Sequence, residues 1–364
     1  MRQLLLPFPL HPPAPAPSVR RVNLALQGGG SHGAFTWGVL DALLEDQRIQ
    51  IDGISGASAG AVNAVALAQG FADKASDPRD AARASLRRIW HGVAAMGSLG
   101  TMAESIRKMM MGGWSPDQVG ANFLGNAMSQ WASPYQSNPL DINPLRKLLE
   151  AEIDFVAIAN LKAPKVFVSA THVTTGRVEI FSGERLTLQA VMASSCLPTL
   201  FQAVEIDGQA YWDGGFSSNP ALLPLINQCD SCDIIVVQIN PLQRTNVPHT
   251  PHDIVDRVSE LTFNASLLAQ MRAIDFTNRL LADGRLQEGA QYKSLFLHRI
   301  DGGEALEDLP SSSKMSADSV LLEQLFEMGQ SAAKRWLANH FEALGQKSTV
   351  DIRRDYIGGP AQEV

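Results

Sequence analysis

The strongest indication of the fold lies in residues 22–33, which read Val22-Asn23-Leu24-Ala25-Leu26-Gln27-Gly28-Gly29-Gly30-Ser31-His32-Gly33. The first six form a short apolar run bounded by glycine, which is typical of a buried strand. Apolar residues at helical spacing follow from Ala34 to Glu45. A strand, a glycine loop and a helix in this order indicate an α/β chain.

The composition agrees with a packed α/β core. The chain has 364 residues, of which 45% are hydrophobic and 18% charged, against a globular norm of about 25% charged. This excludes a disordered or coiled-coil protein. With 30 basic and 37 acidic residues the net charge is −7, which argues against nucleic acid as a partner. Three cysteines cannot form a disulfide framework, so we expect a reducing compartment or a protein that is indifferent to redox conditions.

The N-terminus predicts neither a leader nor a membrane span. Prolines interrupt residues 7–17, so 1–19 is predicted to be an extended, flexible tail. Secretion, with cleavage near Ala14-Pro15-Ala16, is the alternative. No run reaches the roughly 18–20 apolar residues of a membrane span. We expect a cytoplasmic protein whose contact with membranes is local and transient.

A second glycine turn carries a candidate nucleophile. Gly56-Ala57-Ser58-Ala59-Gly60 matches G-x-S-x-G, in which glycines permit a sharp turn that pushes the serine oxygen outward. The helix predicted over Ala61–Ala68 points its positive end at this oxygen. Acyl transfer also needs oxyanion donors, and the N–H groups of the first glycine loop are candidates because no side chains cover them. Each motif alone also fits a tight turn without a ligand.

The first loop fits a rival chemistry as well. Gly28-x-Gly30-x-x-Gly33 matches the dinucleotide fingerprint, and Asp52 lies where an acid for the ribose is expected. That acid should end a second strand. Here Gly53 and the serine turn follow at once, and no strand rich in Val or Ile is apparent before Asp52. A nucleotide-binding oxidoreductase is therefore the alternative.

A base for Ser58 is predicted at Asp213, in a glycine turn after an apparent hairpin of 203–206 and 209–212. Partial desolvation there would raise the pKa of Asp213 and its strength as a base. An aspartate bonded only to its own turn is the alternative. A Ser-His-Asp triad would need one of eight histidines. The sequence does not select one, although His32 lies nearest a motif.

The rest of the chain predicts further strands and helices. Residues 165–171 and 177–181 predict a hairpin, 234–239 a buried strand, and 253–283 and 317–344 long helices. Ile254, Val258, Leu261 and Ala265 lie near helical spacing in the first of these helices. Residues 71–144 differ in character and are predicted to be a helical and loop insertion, a lid over or beside the site.

Four motifs resemble the patatin-like phospholipase family over residues 22–220, and more loosely toward residue 300. They are Gly28-Gly29-Gly30-Ser31-His32-Gly33, Gly56-Ala57-Ser58-Ala59-Gly60, Ala193-Ser194-Ser195-Cys196-Leu197-Pro198, and Asp213-Gly214-Gly215 with Asn219-Pro220. The resemblance implies a three-layer α/β/α sandwich with a mainly parallel central sheet. It divides the chain into a catalytic domain at 20–300 and a C-terminal helical extension at 301–364.

The resemblance also implies a Ser-Asp dyad without histidine, in which Ser58 is the nucleophile and Asp213 its base. Gly28, Gly29 and Gly30 would form the oxyanion hole. The supporting glycines of the motifs are Gly33, Gly56, Gly60, Gly214 and Gly215. The implied reaction is hydrolysis of carboxylic esters of phospholipids or related lipids through an acyl-enzyme, with no metal or organic cofactor.

The chain departs from the family's pattern at two positions. The family usually carries Arg or Lys where this chain has His32, so we expect any charge there to depend on pH. Cys196 replaces a commonly small residue, and buried packing is its expected role.

Other features yield weaker hypotheses. Met96–Trp114 could contact lipid, and the arginines at 79, 83, 87 and 88 could meet phosphate headgroups; core packing and a solvated helix face are the alternatives. Cys229-x-x-Cys232 resembles half of a zinc or redox site. Three function classes remain: a lipid acyl hydrolase, a nucleotide-binding oxidoreductase, and a non-catalytic lipid-binding protein with the same fold.

Overall fold

The computed structural model describes residues 19–75, 77–110, 133–244, 246–289, 292–309 and 311–358, with the side chains of 98–110, 137, 252, 311 and 312 excepted. The described strands form one sheet of eight. They are β1 (Arg20–Leu26), β2 (Ile49–Gly56), β3 (Lys165–His172), β4 (Val178–Phe181), β5 (Val204–Ile206), β6 (Gln209–Asp213), β7 (Asp233–Gln238) and β8 (Phe296–Asp301).

The sheet is mixed and mostly parallel at its centre. Its order is β5-β6-β3-β2-β1-β7-β8, and β4 pairs with β3. The pairs joining β3, β2, β1, β7 and β8 are parallel, whereas β4 and β6 run antiparallel to β3, and β5 runs antiparallel to β6.

Helices cover both faces of this sheet. They are α1 (Gly33–Glu45), α2 (Ala59–Ala72), α3 (Pro78–Met110), α4 (Pro134–Ser137), α5 (Pro144–Glu152), α6 (Phe155–Ala159), α7 (Leu188–Ser194), α8 (Leu223–Gln228), α9 (Pro251–Ala282), α10 (Glu304–Glu307) and α11 (Ser319–His340). Leu24 and Leu26 of β1 pack in one apolar cluster with α1, α2 and α11, while Ala25 packs in a second cluster with α8 and α9. Because side chains of a strand alternate between faces, this division confirms the predicted α/β architecture of helices on both sides of a sheet.

Several local predictions are confirmed, and the structure differs from the predictions at three points. The first strand and helix, both hairpins and both long helices are present near their predicted bounds. However, β2 runs through Asp52, where no strand is predicted. Its Ile residues alternate with Gln, Asp and Gly, although the strand is almost entirely buried. Strand β8 has no counterpart among the predictions, and the last helix begins after the cap Asp318 rather than Ser316.

The predicted insertion at 71–144 is described in part. Ala82, Leu86, Ile89 and Trp90 of α3 are buried in the main apolar cluster, so this half of α3 belongs to the helical layer. Residues 111–132, and with them the end of the proposed Met96–Trp114 surface, lie outside the described residues, as do residues 1–18 of the predicted tail. The predicted domain division stays a prediction.

Candidate active site

Three turns meet at the carboxyl edge of the parallel strands. The glycine loop follows β1 and the serine turn follows its neighbour β2. Gly56 at the end of β2 pairs with Val168 of β3, and Asp213 at the end of β6 pairs with Ala170, two residues further along β3. Ser58 also lies two residues beyond Gly56. The register therefore brings Ser58 and Asp213 to the same level of the sheet.

Ser58 occupies a strained turn between β2 and α2. Its φ is 52° and its ψ −124°, a conformation that costs a non-glycine residue of order 1–3 kcal/mol. A Cβ at Gly56 would overlap the backbone of Gly60, and a Cβ at Gly60 would overlap the Leu26 carbonyl, so the turn is tight on both sides. The Ser58 amide donates to the buried hydroxyl of Ser194 at 2.9 Å. Ser194 belongs to the third motif, which thus stabilises the serine turn.

The glycine loop lies directly against the nucleophile. A Cβ built at Gly28 would lie 2.7 Å from the Ser58 Cβ, so only glycine fits. The Gly28 amide donates to Asn219 Oδ1 at 2.6 Å and is therefore already in use. In the described part of the chain the amides of Gly29 and Gly30 have no acceptor, which makes them the available donors of this loop.

The Asp213 carboxylate is completely buried. Burial raises the pKa of Asp213 to about 7. Two interactions act in the opposite direction and lower this pKa: one with the Ser58 hydroxyl and one with the Gly215 amide, which donates to Oδ1 at 2.7 Å. Among the described residues, Oδ2 has no partner with full hydrogen-bond geometry. The Ser58 hydroxyl is thus close to the carboxylate without a fully formed hydrogen bond, as is common in free enzymes. A base with a pKa near 7 suits proton transfer at neutral pH.

A short 3-10 turn at Ser311–Met315 holds the glycine loop from outside. Lys314 Nζ donates to Asn240 Oδ1 at 2.9 Å, and Asn240 Nδ2 donates to the Gly28 carbonyl at 2.7 Å. The Lys314 backbone packs so closely on Gly30 that a Cβ there would overlap the Lys314 carbonyl. Burial lowers the pKa of Lys314. No sequence motif marks Asn240 or Lys314, so their roles were not predicted.

The family is decided by comparison with known proteins. A family model described as Patatin-like phospholipase matches residues 24–226. The chain belongs to the patatin-like phospholipase family. A solved structure similar to it is the crystal structure of VipD from Legionella pneumophila, at 18% identity and a TM-score of 0.36, covering 86% of this chain and 67% of that chain. The search of curated proteins found no match to this chain. Membership of the patatin-like family implies a serine hydrolase acting on lipid acyl esters.

In this patatin-like chain His32 does not supply a pH-dependent charge near neutrality. Burial, with the neighbouring charges of Lys314 and Arg244, lowers the pKa of His32 to about 4, so the imidazole is neutral at pH 7. Its Nε2 lies 2.7 Å from the Ser313 hydroxyl. Lys314 is a basic side chain that hydrogen-bonds to Asn240 beside the glycine loop. No histidine hydrogen-bonds to Ser58 or Asp213 within the described ranges.

Asp52 does not lie where a nucleotide-binding site would need an acidic residue for the ribose. Asp52 lies in the interior of β2, four residues before the carboxyl edge at Gly56. Its Oδ2 accepts hydrogen bonds from the amides of Asp230 and Ser231 at 2.7 and 2.9 Å. Asp52 thus fastens a loop at a distance from the glycine turn and does not face a ribose there.

Most of the arginines proposed for headgroup binding are used within the protein. Arg79 donates to backbone carbonyls after α1, Arg83 Nε donates to Asp41 at 2.8 Å, and Arg88 Nε donates to Glu152 at 2.7 Å. Only Arg87 is left without a partner among the residues with described side chains. A solvated helix face with structural pairs accounts for this set.

The three cysteines are free thiols that differ in burial. Cys196 and Cys229 are buried free thiols, and Cys232 is a partly buried one. Burial raises the pKa of Cys196 to about 12, and its Sγ lies 3.0 Å from the Gln202 carbonyl, which agrees with the expected packing role. Within the described ranges no cluster of three or more His, Cys, Asp or Glu side chains could hold a metal ion. None of the described helices is long and apolar enough to cross a membrane.

Proposed function

We propose that the chain hydrolyses carboxylic esters of phospholipids or related lipids, with Ser58 as nucleophile and Asp213 as the only general base. The observation that carries this proposal is a strained serine beside a fully buried carboxylate whose pKa is about 7. Such a carboxylate can take the serine proton without a histidine between them.

The reaction runs in two halves. Asp213 takes the Ser58 proton as Oγ attacks the ester carbonyl, and the tetrahedral oxyanion is held by the amides of Gly29 and Gly30. The protonated Asp213 then gives its proton to the leaving alcohol, which leaves an acyl-enzyme. Asp213 next takes a proton from a water molecule, whose oxygen attacks the acyl carbonyl, and it returns this proton to Ser58 Oγ as the bond to the acyl group breaks and the fatty acid leaves.

Ala59 supplies a further donor. Its amide is the first of α2 and has no acceptor in the described chain, as expected for the first N–H groups of a helix. It directly follows the nucleophile, a position that completes the oxyanion hole in other strand-turn-helix serine hydrolases. The helix end also favours negative charge beside Ser58.

A fluorophosphonate probe tests the proposal. We expect covalent labelling of the full chain that is lost in Ser58→Ala, and loss of ester turnover in Asp213→Asn. A folded protein that is not labelled would be a non-catalytic member of the family. Activity retained in Asp213→Asn would mean that another base acts. Release of fatty acid from diacyl and monoacyl phospholipids and from simple esters would then define the substrate class.

A further inference from the structure

The peptide bond between Gly28 and Gly29 determines where the glycine loop directs its first free donor. The Gly28 carbonyl and the Gly29 amide belong to this one planar unit, and in a trans peptide they point in opposite directions. The Gly28 carbonyl accepts from Asn240 Nδ2 at 2.7 Å and from Asn219 Nδ2 at 3.3 Å. The Gly29 amide therefore points away from these two side chains.

The sheet order places Asn240 and Ser58 on opposite sides of β1. Asn240 follows β7 and Ser58 follows β2, and these two strands flank β1. Because the Gly28 carbonyl is directed to Asn240, the Gly29 amide faces the side of Ser58. This amide has no acceptor in the described part of the chain, so it can donate to the oxyanion that forms when Ser58 attacks an ester. Turning the peptide over would place a carbonyl oxygen there instead.

The side-chain amide of Asn240, which is 1% exposed, is itself held in one orientation. Its Oδ1 accepts from Lys314 Nζ at 2.9 Å, and a protonated lysine can only donate. Its Nδ2 donates to Gln27 Oε1 at 3.2 Å as well as to Gly28. Gln27 Oε1 also accepts from the backbone amides of Ile239 and Asn240, at 3.0 and 2.9 Å. A reversed Asn240 amide, with its oxygen and nitrogen exchanged, would lose all three of its own bonds.

We propose that Asn240 is a positioning residue for the reaction. It holds the Gly28–Gly29 peptide so that the Gly29 amide donates to the oxyanion. Gln27 and Lys314 act one step further away, because they orient the Asn240 amide. The inference rests on the proposed function, since it names the amide that serves the oxyanion. Asn240 and Lys314 lie beyond residues 24–226, which the family model matches, so part of the support of the site comes from outside the matched region.

Asn240→Asp tests the inference, because it changes a donor to an acceptor in a side chain of the same shape. A carboxylate cannot donate, so it repels the Gly28 carbonyl and favours the turned peptide, in which the Gly29 amide donates to the carboxylate. We expect kcat on a soluble ester to fall about 10²–10³-fold, the usual effect of losing one oxyanion donor, with little change in KM. A crystal structure of this variant should show the Gly28–Gly29 peptide turned over.

Asn240→Ala separates positioning from stability. It leaves the Gly28 carbonyl to Asn219 alone, so the peptide is released but not turned, and kcat should fall by less than about 10²-fold. Stability should follow the opposite order. The alanine variant leaves the largely buried Lys314 amine without its acceptor, whereas the aspartate variant gives this amine a counter-ion. Urea unfolding measures that order, and a kcat that followed stability would mean that Asn240 acts only on the fold.

Asn23→Asp is the matched control. Asn23 lies on β1 and is completely buried, and its Nδ2 donates to the Ser231 carbonyl at 2.9 Å. A lysine is close here too, because Lys293 Nζ donates to the same carbonyl at 3.1 Å. Asn23 lies five residues before Gly28, or about 16 Å along a strand. We expect this substitution to lower the urea midpoint and to leave kcat unchanged.

Three results would overturn the inference: a Gly28–Gly29 peptide that keeps its orientation in Asn240→Asp, an unchanged kcat in that variant, or an equal loss of kcat in Asn23→Asp. The orientation of the peptide is read from the crystal structure and does not depend on activity. If the peptide turns over as expected but the natural chain neither hydrolyses an ester nor reacts with a fluorophosphonate, the role of Asn240 in orienting the peptide stands and the proposed function fails.

Discussion

Replacing Asp213 by Asn should stabilise the protein while abolishing its activity, and the gain should grow with pH. The pKa of this carboxyl is about 7 in the folded chain, against an ordinary value of 3.8. Between these two values the folded chain holds a proton that the unfolded chain has lost, so the free energy of unfolding falls as pH rises. At about 1.4 kcal/mol for each pKa unit, Asp213 lowers that free energy by about 1.5 kcal/mol at pH 5 and about 4 kcal/mol at pH 8.

Asparagine keeps the shape and has no charge to bury. Its Oδ1 can accept from the Gly215 amide as Asp213 does, and its Nδ2 would occupy the place of the carboxylate oxygen that has no full partner. We therefore expect urea unfolding to give an advantage of Asp213→Asn over the natural chain that is about 2.5 kcal/mol larger at pH 8 than at pH 5. Asp207→Asn, at an exposed turn of the neighbouring hairpin, is the matched control and should show no such trend. An advantage of Asp213→Asn that does not change with pH would refute the assignment of a desolvated carboxylate.

Three further predictions concern the site. Since Asp213 must be ionised to act as a base, kcat/KM on a soluble ester should rise with pH through about 7; a rise centred near pH 4 would contradict its burial. Lys314→Met should lower kcat about tenfold or more with little change in KM, because Asn240 loses the hydrogen bond from Lys314 and holds the glycine loop less firmly. A tenfold lower kcat/KM that came from a higher KM instead would mean that the lysine acts on substrate binding. Ser194→Ala leaves the Ser58 amide without its acceptor, so thermal or urea unfolding should show a loss of about 1–3 kcal/mol, and an unchanged stability would show that water replaces the hydroxyl.

The sequence predicted those parts of the site that backbone geometry dictates locally. Ser58, with a φ of 52°, lies in a tight turn between β2 and α2. A side chain at position 56 or 60 would overlap the surrounding backbone, so both positions require glycine. The motif therefore consists of residues that are contiguous in the sequence and can be recognised there. The same holds for Gly28, which touches Ser58, and for Asp213 at the end of its hairpin. Hairpins and amphipathic helices are predictable for the same reason, because their signals lie within one segment.

The features of the site and fold that the sequence does not predict depend on contacts between residues far apart in the chain. Asn219, Asn240 and Lys314 support the glycine loop from distant turns, and a polar residue in a loop gives no local sign of its partner. The glycine loop predicts the Gly28 amide as an oxyanion donor, whereas the structure shows that this amide donates to Asn219 Oδ1. Strand β2 was missed because both faces are buried around Asp52, whose charge is satisfied by amides of a loop nearly 180 residues away.

The long helix α9 shows why periodicity alone could not assign its faces. The spacing of Ile254, Val258 and Leu261 predicts a helix correctly, but burial of an apolar stripe is favourable only if the opposite face can remain in water. Here Glu260 is held by two arginines, and exposing it would leave Arg244 and Arg257, which are themselves largely buried, without their counter-ion. Removing one partner of a buried ion pair costs about 3–5 kcal/mol, more than the roughly 1.5–3 kcal/mol gained by burying one Val or Leu. The ionic face therefore determines the orientation of this helix segment, and the apolar face is left at the surface.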